Sequence, residues 1–201
     1  MGKYTVAVMI VDRAETVLQR IKEPGDLYAH LVNLKGNIFS TTGRHELAIE
    51  SYTNAVKQFD QLPQPFEACR SRMNLAAALI ELDELGKARR HLHQVLERAE
   101  VQGYDRLVAF AQSHLALIAY RKGEFAEAEA RCLKSNNIGR SREYTSIVFR
   151  NCYYLLQIGK ARGDHAIIKT NERALRTYLR HVQEYLPEAE IFRSELRRGA
   201  K

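Results

Sequence analysis

Three asparagines, Asn33, Asn37 and Asn74, stand inside stretches that otherwise read as helix. Asparagine is a mediocre helix residue, because its amide competes with the backbone for hydrogen bonds. That amide also donates and accepts at once, which is what gripping an extended peptide backbone requires. Arg70, Arg150 and Lys160 offer charge-assisted bonds to a carboxylate, whether a chain terminus or an acidic side chain. Tyr153 and Tyr154 are adjacent aromatics, of which one must face the core and the other can anchor a ligand. Support for catalysis is thin. The chain has no glycine-rich phosphate loop and no His-Glu-x-x-His. His91 and His93 are two residues apart and so point to different faces of a helix, a poor pair of metal ligands. Cys132 and Cys152 fall on expected core positions, and Glu124, Glu127 and Glu129 read as solvated charge.

The elements that must position these residues are announced by a forty-residue period. Gly43, Asp83, Gly123 and Gly163 are turn formers forty residues apart, and Ala48, Ala88, Ala128 and Ile168 each follow five residues later. Gly or Asp tolerates the positive φ that ends one helix before a tight turn. An acidic residue next in line, as at Glu124 or Asp164, suits the start of the following helix. The small residue lets that second helix lie close against the first. The spacing predicts first helices over 26–41, 66–82, 105–121 and 143–161, and second helices over 44–61, 84–101, 124–139 and 164–185. Breaks are expected at Pro24-Gly25-Asp26, Pro63-Gln64-Pro65, Gly103 and around Ser141. Pro187 should open a last charged helix to about 198. The organisation expected is a helix of an interrupted repeat over 1–24, four repeats within 25–186 (26–62, 66–102, 105–140 and 143–185), and a capping helix and tail over 187–201.

Gly36, Phe39, Gly43, Ala48, Tyr52 and Ala55 in the first repeat resemble the tetratricopeptide (TPR) pattern, as do Leu75-Ala76, Leu79, Ala88 and Leu92 in the second. Leu115-Ala116, Gly123, Phe125 and Ala128 follow in the third, with Cys132 in the aromatic slot. The fourth, Leu155-Leu156, Gly163 and Ile168, is degenerate. The departure is length, since the usual repeat has about 34 residues. The resemblance implies an all-α, right-handed superhelical solenoid of TPR-like hairpins, each unable to bury its apolar stripe without its neighbours. In such a solenoid the first helices line a concave groove. The residues expected to bind there are Asn33, Asn37, Arg70, Asn74, Ser113, Arg150, Tyr153 and Gln157. The two-carboxylate clamp of chaperone-tail adaptors is broken, because Asn33, Phe110 and His114 stand at its basic positions.

The long repeats, the asparagines and the closing Tyr185-Leu186-Pro187-Glu188-Ala189 … Phe192 are similar to bacterial peptide-sensing regulators of the Rap, NprR and PlcR type. That resemblance implies a cytoplasmic sensor of a signalling peptide or protein, used in quorum sensing. It also implies that DNA is reached only through an upstream domain absent from this chain, and that a homodimer can form. The alternative is a plain assembly scaffold. No apolar run approaches the roughly 20 residues of a membrane span. Three cysteines, Cys69, Cys132 and Cys152, make no disulfide framework, and no cofactor or metal is expected. The charge is lopsided: residues 1–100 hold 13 Lys+Arg and 13 Asp+Glu, while residues 101–201 hold 18 and 11. A solvated basic face is the plain explanation. Direct nucleic-acid binding through that half ranks last among the functions, since no recognition helix is evident.

Overall fold

The structure is a computed structural model that describes residues 2–21, 25–182 and 186–199. Pro24 and Tyr185 lie outside the described residues. Among the described residues all regular structure is α-helical. In chain order the helices are α1 (Gly2–Leu18), α2 (Leu27–Thr41), α3 (His45–Asp60), α4 (Pro65–Glu81), α5 (Leu85–Gln102), α6 (Asp105–Arg121), α7 (Phe125–Ser141), α8 (Thr145–Arg162), α9 (His165–Tyr178) and α10 (Pro187–Gly199). The chain divides into two compact units, Met1–Leu107 and Val108–Lys201.

Among the described residues one turn recurs six times. The N–H of Arg44, Glu84, Tyr104, Glu124, Tyr144 and Asp164 each bonds the carbonyl five residues earlier, on Phe39, Leu79, Ala99, Ala119, Gly139 and Gly159. This is the Schellman closure, and it needs a left-handed residue just before the donor. Glycine supplies it at Gly43, Gly103, Gly123 and Gly163, but Asp83 and Glu143 adopt it too, each at φ +58°. Helix starts are as varied. Pro65 opens α4, and the Asp164 carboxylate accepts from the N–H groups of Ala166 and Ile167, both at 3.0 Å. Glu124, at the same position before α7, makes no such bond.

Burial follows the forty-residue ladder. Ala29, Cys69, Ala109, Phe149 and Ala189 are all fully buried, which puts α10 in the register of a fifth first helix. Ala48, Ala88 and Ala128 on the second helices are fully buried as well. In unit 1, Ala29, Ala55, Phe59 and Ala68 form one cluster across α2, α3 and α4. In unit 2, Val148, Phe149, Cys152, Leu156 and Leu175 pack with Leu186, Ala189 and Phe192. Burying the Val, Leu and Phe side chains among these contributes about 1.5–3 kcal/mol each.

Two boundaries differ from expectation. Helix α9 ends at Tyr178, short of the expected 185, and Leu179 and Val182 turn in with Leu186 to cover the α8–α9 core. Helix α1 stands where a second helix belongs, but it does not repeat the contacts of α3. At the position of Tyr52 it has Asp12, which reaches outward to Lys35 at 2.8 Å, beside a Lys35–Glu15 pair at 2.7 Å. Val11 is its buried residue, while Tyr4, Val6, Met9, Ile10 and Val17 stay exposed.

Candidate functional site

In unit 1 the arrangement begins with Gly36. A Cβ there would lie 2.6 Å from the Tyr52 ring, so only glycine lets that ring cross α2 at this depth. Tyr52 then places its hydroxyl on Asn37 Oδ1 at 2.8 Å. Burial pushes the phenol up to about 12, against a hydrogen bond from Ser40, so Tyr52 stays a donor at neutral pH. Asn74 on α4 donates its amide to the same oxygen at 3.3 Å. The Asn37 carbonyl therefore has two donors. The Asn37 amide N–H groups and the Asn74 carbonyl have no partner among the described residues, and both side chains are half-buried. The result is a spare donor and a spare acceptor side by side on adjacent helices, fixed by a buried tyrosine. Arg70, on the same open stripe of α4, pairs with Glu67 one turn back at 2.7 Å.

Asn33 is corrected. It is only 3% exposed, and its Oδ1 accepts from the buried Ser71 hydroxyl at 3.0 Å. It ties α2 to α4 and faces no ligand. Ser113 is corrected on the same grounds: it is fully buried and donates to Asn151 Oδ1 at 2.7 Å. The two bonds are one device with its partners exchanged. Asn33 and Ser113 hold equivalent positions, as do Ser71 and Asn151, and each pair is 38 residues apart. Asn151, which the sequence did not single out, also donates to Ser135 Oγ at 2.8 Å and to Asn136 Oδ1 at 3.1 Å.

In unit 2, Arg150 is not free for a ligand carboxylate. Its Nε stands 3.2 Å from Glu188 of α10, again 38 residues on. Tyr154 is the core-facing tyrosine, and its hydroxyl donates to Glu188 Oε1 at 2.7 Å. Tyr153 remains half-buried at the edge, its ring against Tyr154. Gln157 is half-buried with an amide nitrogen that finds no hydrogen-bond partner. Lys160 lies 3.7 Å from Glu195. His114 sets its Nδ1 3.0 Å from the Phe110 carbonyl, and burial, with the Arg150 guanidinium nearby, pushes it down to about 4.

The cysteines Cys69, Cys132 and Cys152 are buried free thiols, and burial pushes all three up, so none is a ready nucleophile. Among the described residues no three His, Cys, Asp or Glu side chains gather to hold a metal. No described helix is long and apolar enough to cross a membrane.

The tetratricopeptide repeat family model matches residues 29–58, the stretch that contains Gly36, Asn37 and Tyr52. No curated protein sequence matches the chain. Solved structures do. The apo form of RapI superimposes with a TM-score of 0.79 at 14% identity, covering 91% of this chain and 51% of RapI. This chain thus spans about half of RapI's length. BtubC (BKLC) from P. vanneervenii matches with a TM-score of 0.77 at 17% identity, over 92% of this chain and 77% of that one. A Podosopora anserina structure of nearly identical TPR-like repeats matches at 0.69 and 16% identity, over 92% and 90%. At such identities the likeness concerns fold, an all-α helical solenoid. Residues 29–58 thus match the tetratricopeptide repeat, and the fold of the chain resembles that of RapI.

Proposed function

We propose that this chain is a peptide- or protein-binding module in which Asn37 and Asn74 grip the backbone of the ligand. The observation that carries the reading is the spare amide donor beside the spare carbonyl acceptor, held by Tyr52. A peptide unit offers the complementary acceptor and donor. Arg70 adds a charge whose surface pairing with Glu67 is worth little and so exchanges readily for a ligand carboxylate. In unit 2, the half-buried Tyr153 and Gln157 of α8 remain as candidate ligand contacts. The module then serves as the cytoplasmic ligand sensor of a bacterial transcription regulator of the quorum-sensing kind, with sequence-specific DNA reading in a separate domain. The likeness to RapI and the long repeats support that finer reading. An assembly scaffold or homodimer is the second reading, favoured by the exposed Tyr4, Val6, Met9, Ile10 and Val17 of α1.

Asn74→Ala is the variant of choice. Asn37→Ala would also take from the buried Tyr52 hydroxyl its Asn37 acceptor and leave it only Ser40, so it is expected to melt lower for reasons unrelated to binding. Asn74→Ala removes one bond to Asn37 and leaves no buried group alone. Against a ligand drawn from a pooled-peptide screen it should weaken affinity roughly 5- to 150-fold, the worth of an unpaired backbone group of about 1–3 kcal/mol. Its melting temperature should stay within a few degrees of the parent. Undiminished affinity of Asn74→Ala for a ligand that the parent binds would end the proposal.

A further inference from the structure

The surplus positive charge noted in the sequence has a definite place. Lys169, Arg173, Arg176 and Arg180 recur at intervals of four, three and four residues, which is one face of a helix. They run along α9 and just past its end, and cover about 16 Å of axis. All four are exposed. With Glu172, Thr177 and His181 they line a shallow concavity of about 410 Å³. None of the four forms an ion pair with a described residue. Other cations of this unit do: Arg131 with Glu127, Arg150 with Glu188, Arg162 with Glu129, and Arg193 with Glu190. Like charges one turn apart destabilise a helix when no counter-charge is bound. The one carboxylate in the concavity is the half-buried Glu172.

What would sit there follows from what the surface lacks. Protein interfaces draw most of their strength from aromatic and aliphatic anchors, and no large apolar side chain is exposed anywhere on α9. A linear polyanion needs no anchor, because counterion release supplies its binding free energy. Guanidinium forks suit phosphate oxygens. We infer that the outer face of α9 is a sequence-independent contact for the phosphate backbone of a nucleic acid. The inference stands apart from the Asn37–Asn74 grip, which lies in unit 1. It is compatible with base reading in another domain, since phosphate contacts position a protein and base contacts specify the sequence.

The test is fluorescence anisotropy of the full chain with two labelled duplexes of unrelated sequence. With three to four phosphates neutralised, log K should fall with log salt at a slope of about −3, a loss of roughly 40- to 150-fold between 50 and 200 mM. Both duplexes should bind alike. Combining Arg173→Gln, Arg176→Gln and Arg180→Gln should cost at least about tenfold at 50 mM salt and reduce the slope to about −1. Glu172→Gln should tighten binding. The same charge change on α10, Arg193→Gln with Arg197→Gln and Arg198→Gln, should alter affinity less than about threefold, and circular dichroism should show every variant folded. Four results would overturn the inference: no binding at 50 mM, an equal loss from the α10 substitutions, a clear preference between the duplexes, or polyglutamate binding as tightly as DNA.

Discussion

Exchanging the partners of one buried hydrogen bond tests the register of the repeats directly. Asn33 accepts from Ser71 in unit 1, and Ser113 donates to Asn151 in unit 2, at equivalent positions. Asn33→Ser alone shortens one side chain and leaves the fully buried Ser71 hydroxyl without its acceptor. That should cost about 1–3 kcal/mol. Ser71→Asn alone forces a second amide into a site already filled by Asn33, at about 1–3 kcal/mol for overpacking. Together the two substitutions restore the serine-to-asparagine bond seen at Ser113 and Asn151, but not the partners of the Asn151 amide, because Ala55 and Val56 stand where Ser135 and Asn136 do, so only part of both losses should return. The expected coupling is about 1–3 kcal/mol, within the range for contacting residues. For a chain of this size each kcal/mol moves the melting temperature by about 2–4 °C. Thermal melts followed by circular dichroism should thus place each single variant about 2–12 °C below the parent, and the double variant clearly above the sum of the two losses. A double variant that melts at the sum of the single losses would show that the two pairs are not equivalent, and the 38-residue correspondence would fail with it.

Three other perturbations probe the fold. Ala128 is fully buried and Ala130 on the same helix is exposed; Ala128→Arg should cost several kcal/mol while Ala130→Arg stays within about 0.5 kcal/mol, and equal melting temperatures would undo the packing described for α7. Glu143 is exposed and holds a left-handed conformation that glycine adopts freely; Glu143→Gly should stabilise by about 1 kcal/mol, and a lower midpoint in urea would mean that the side chain does more than turn the chain. His114 is held down to about 4 by burial and by Arg150, so the unfolded chain takes up its proton first. Stability from the neutral ring is present above about pH 6.5 and is lost as pH falls towards 4, by at most about 3 kcal/mol. The urea midpoint of the parent should fall relative to that of His114→Leu as pH drops through that window, and parallel curves would remove His114 from the account.

The sequence made the fold legible because each turn and each close helix contact demands a residue type at a fixed place. Gly43, Gly123 and Gly163 mark turns that a Cβ would strain, and Ala48, Ala88 and Ala128 mark crossings where a larger side chain does not fit. Asp83 and Glu143 show how loose even this signal is, since they take the glycine conformation without being glycine. The site was harder to read because a polar residue on a first helix has the same appearance whether it faces the groove or the neighbouring helix. Comparing positions forty residues apart aligns like with like, but it does not show which residues touch. Successive first helices meet at an offset of two, so contacts fall 38 residues apart, at Asn33–Ser71, Ser113–Asn151 and Arg150–Glu188. A polar residue seen in contact with a polar partner at 38 is a strut, and that disposes of Asn33, Ser113 and Arg150. The residue 38 after Asn37 is Leu75, and the residue 38 before Asn74 is Gly36. Neither can bond an amide, so Asn37 and Asn74 meet at another spacing, across Tyr52, and keep a donor and an acceptor to spare.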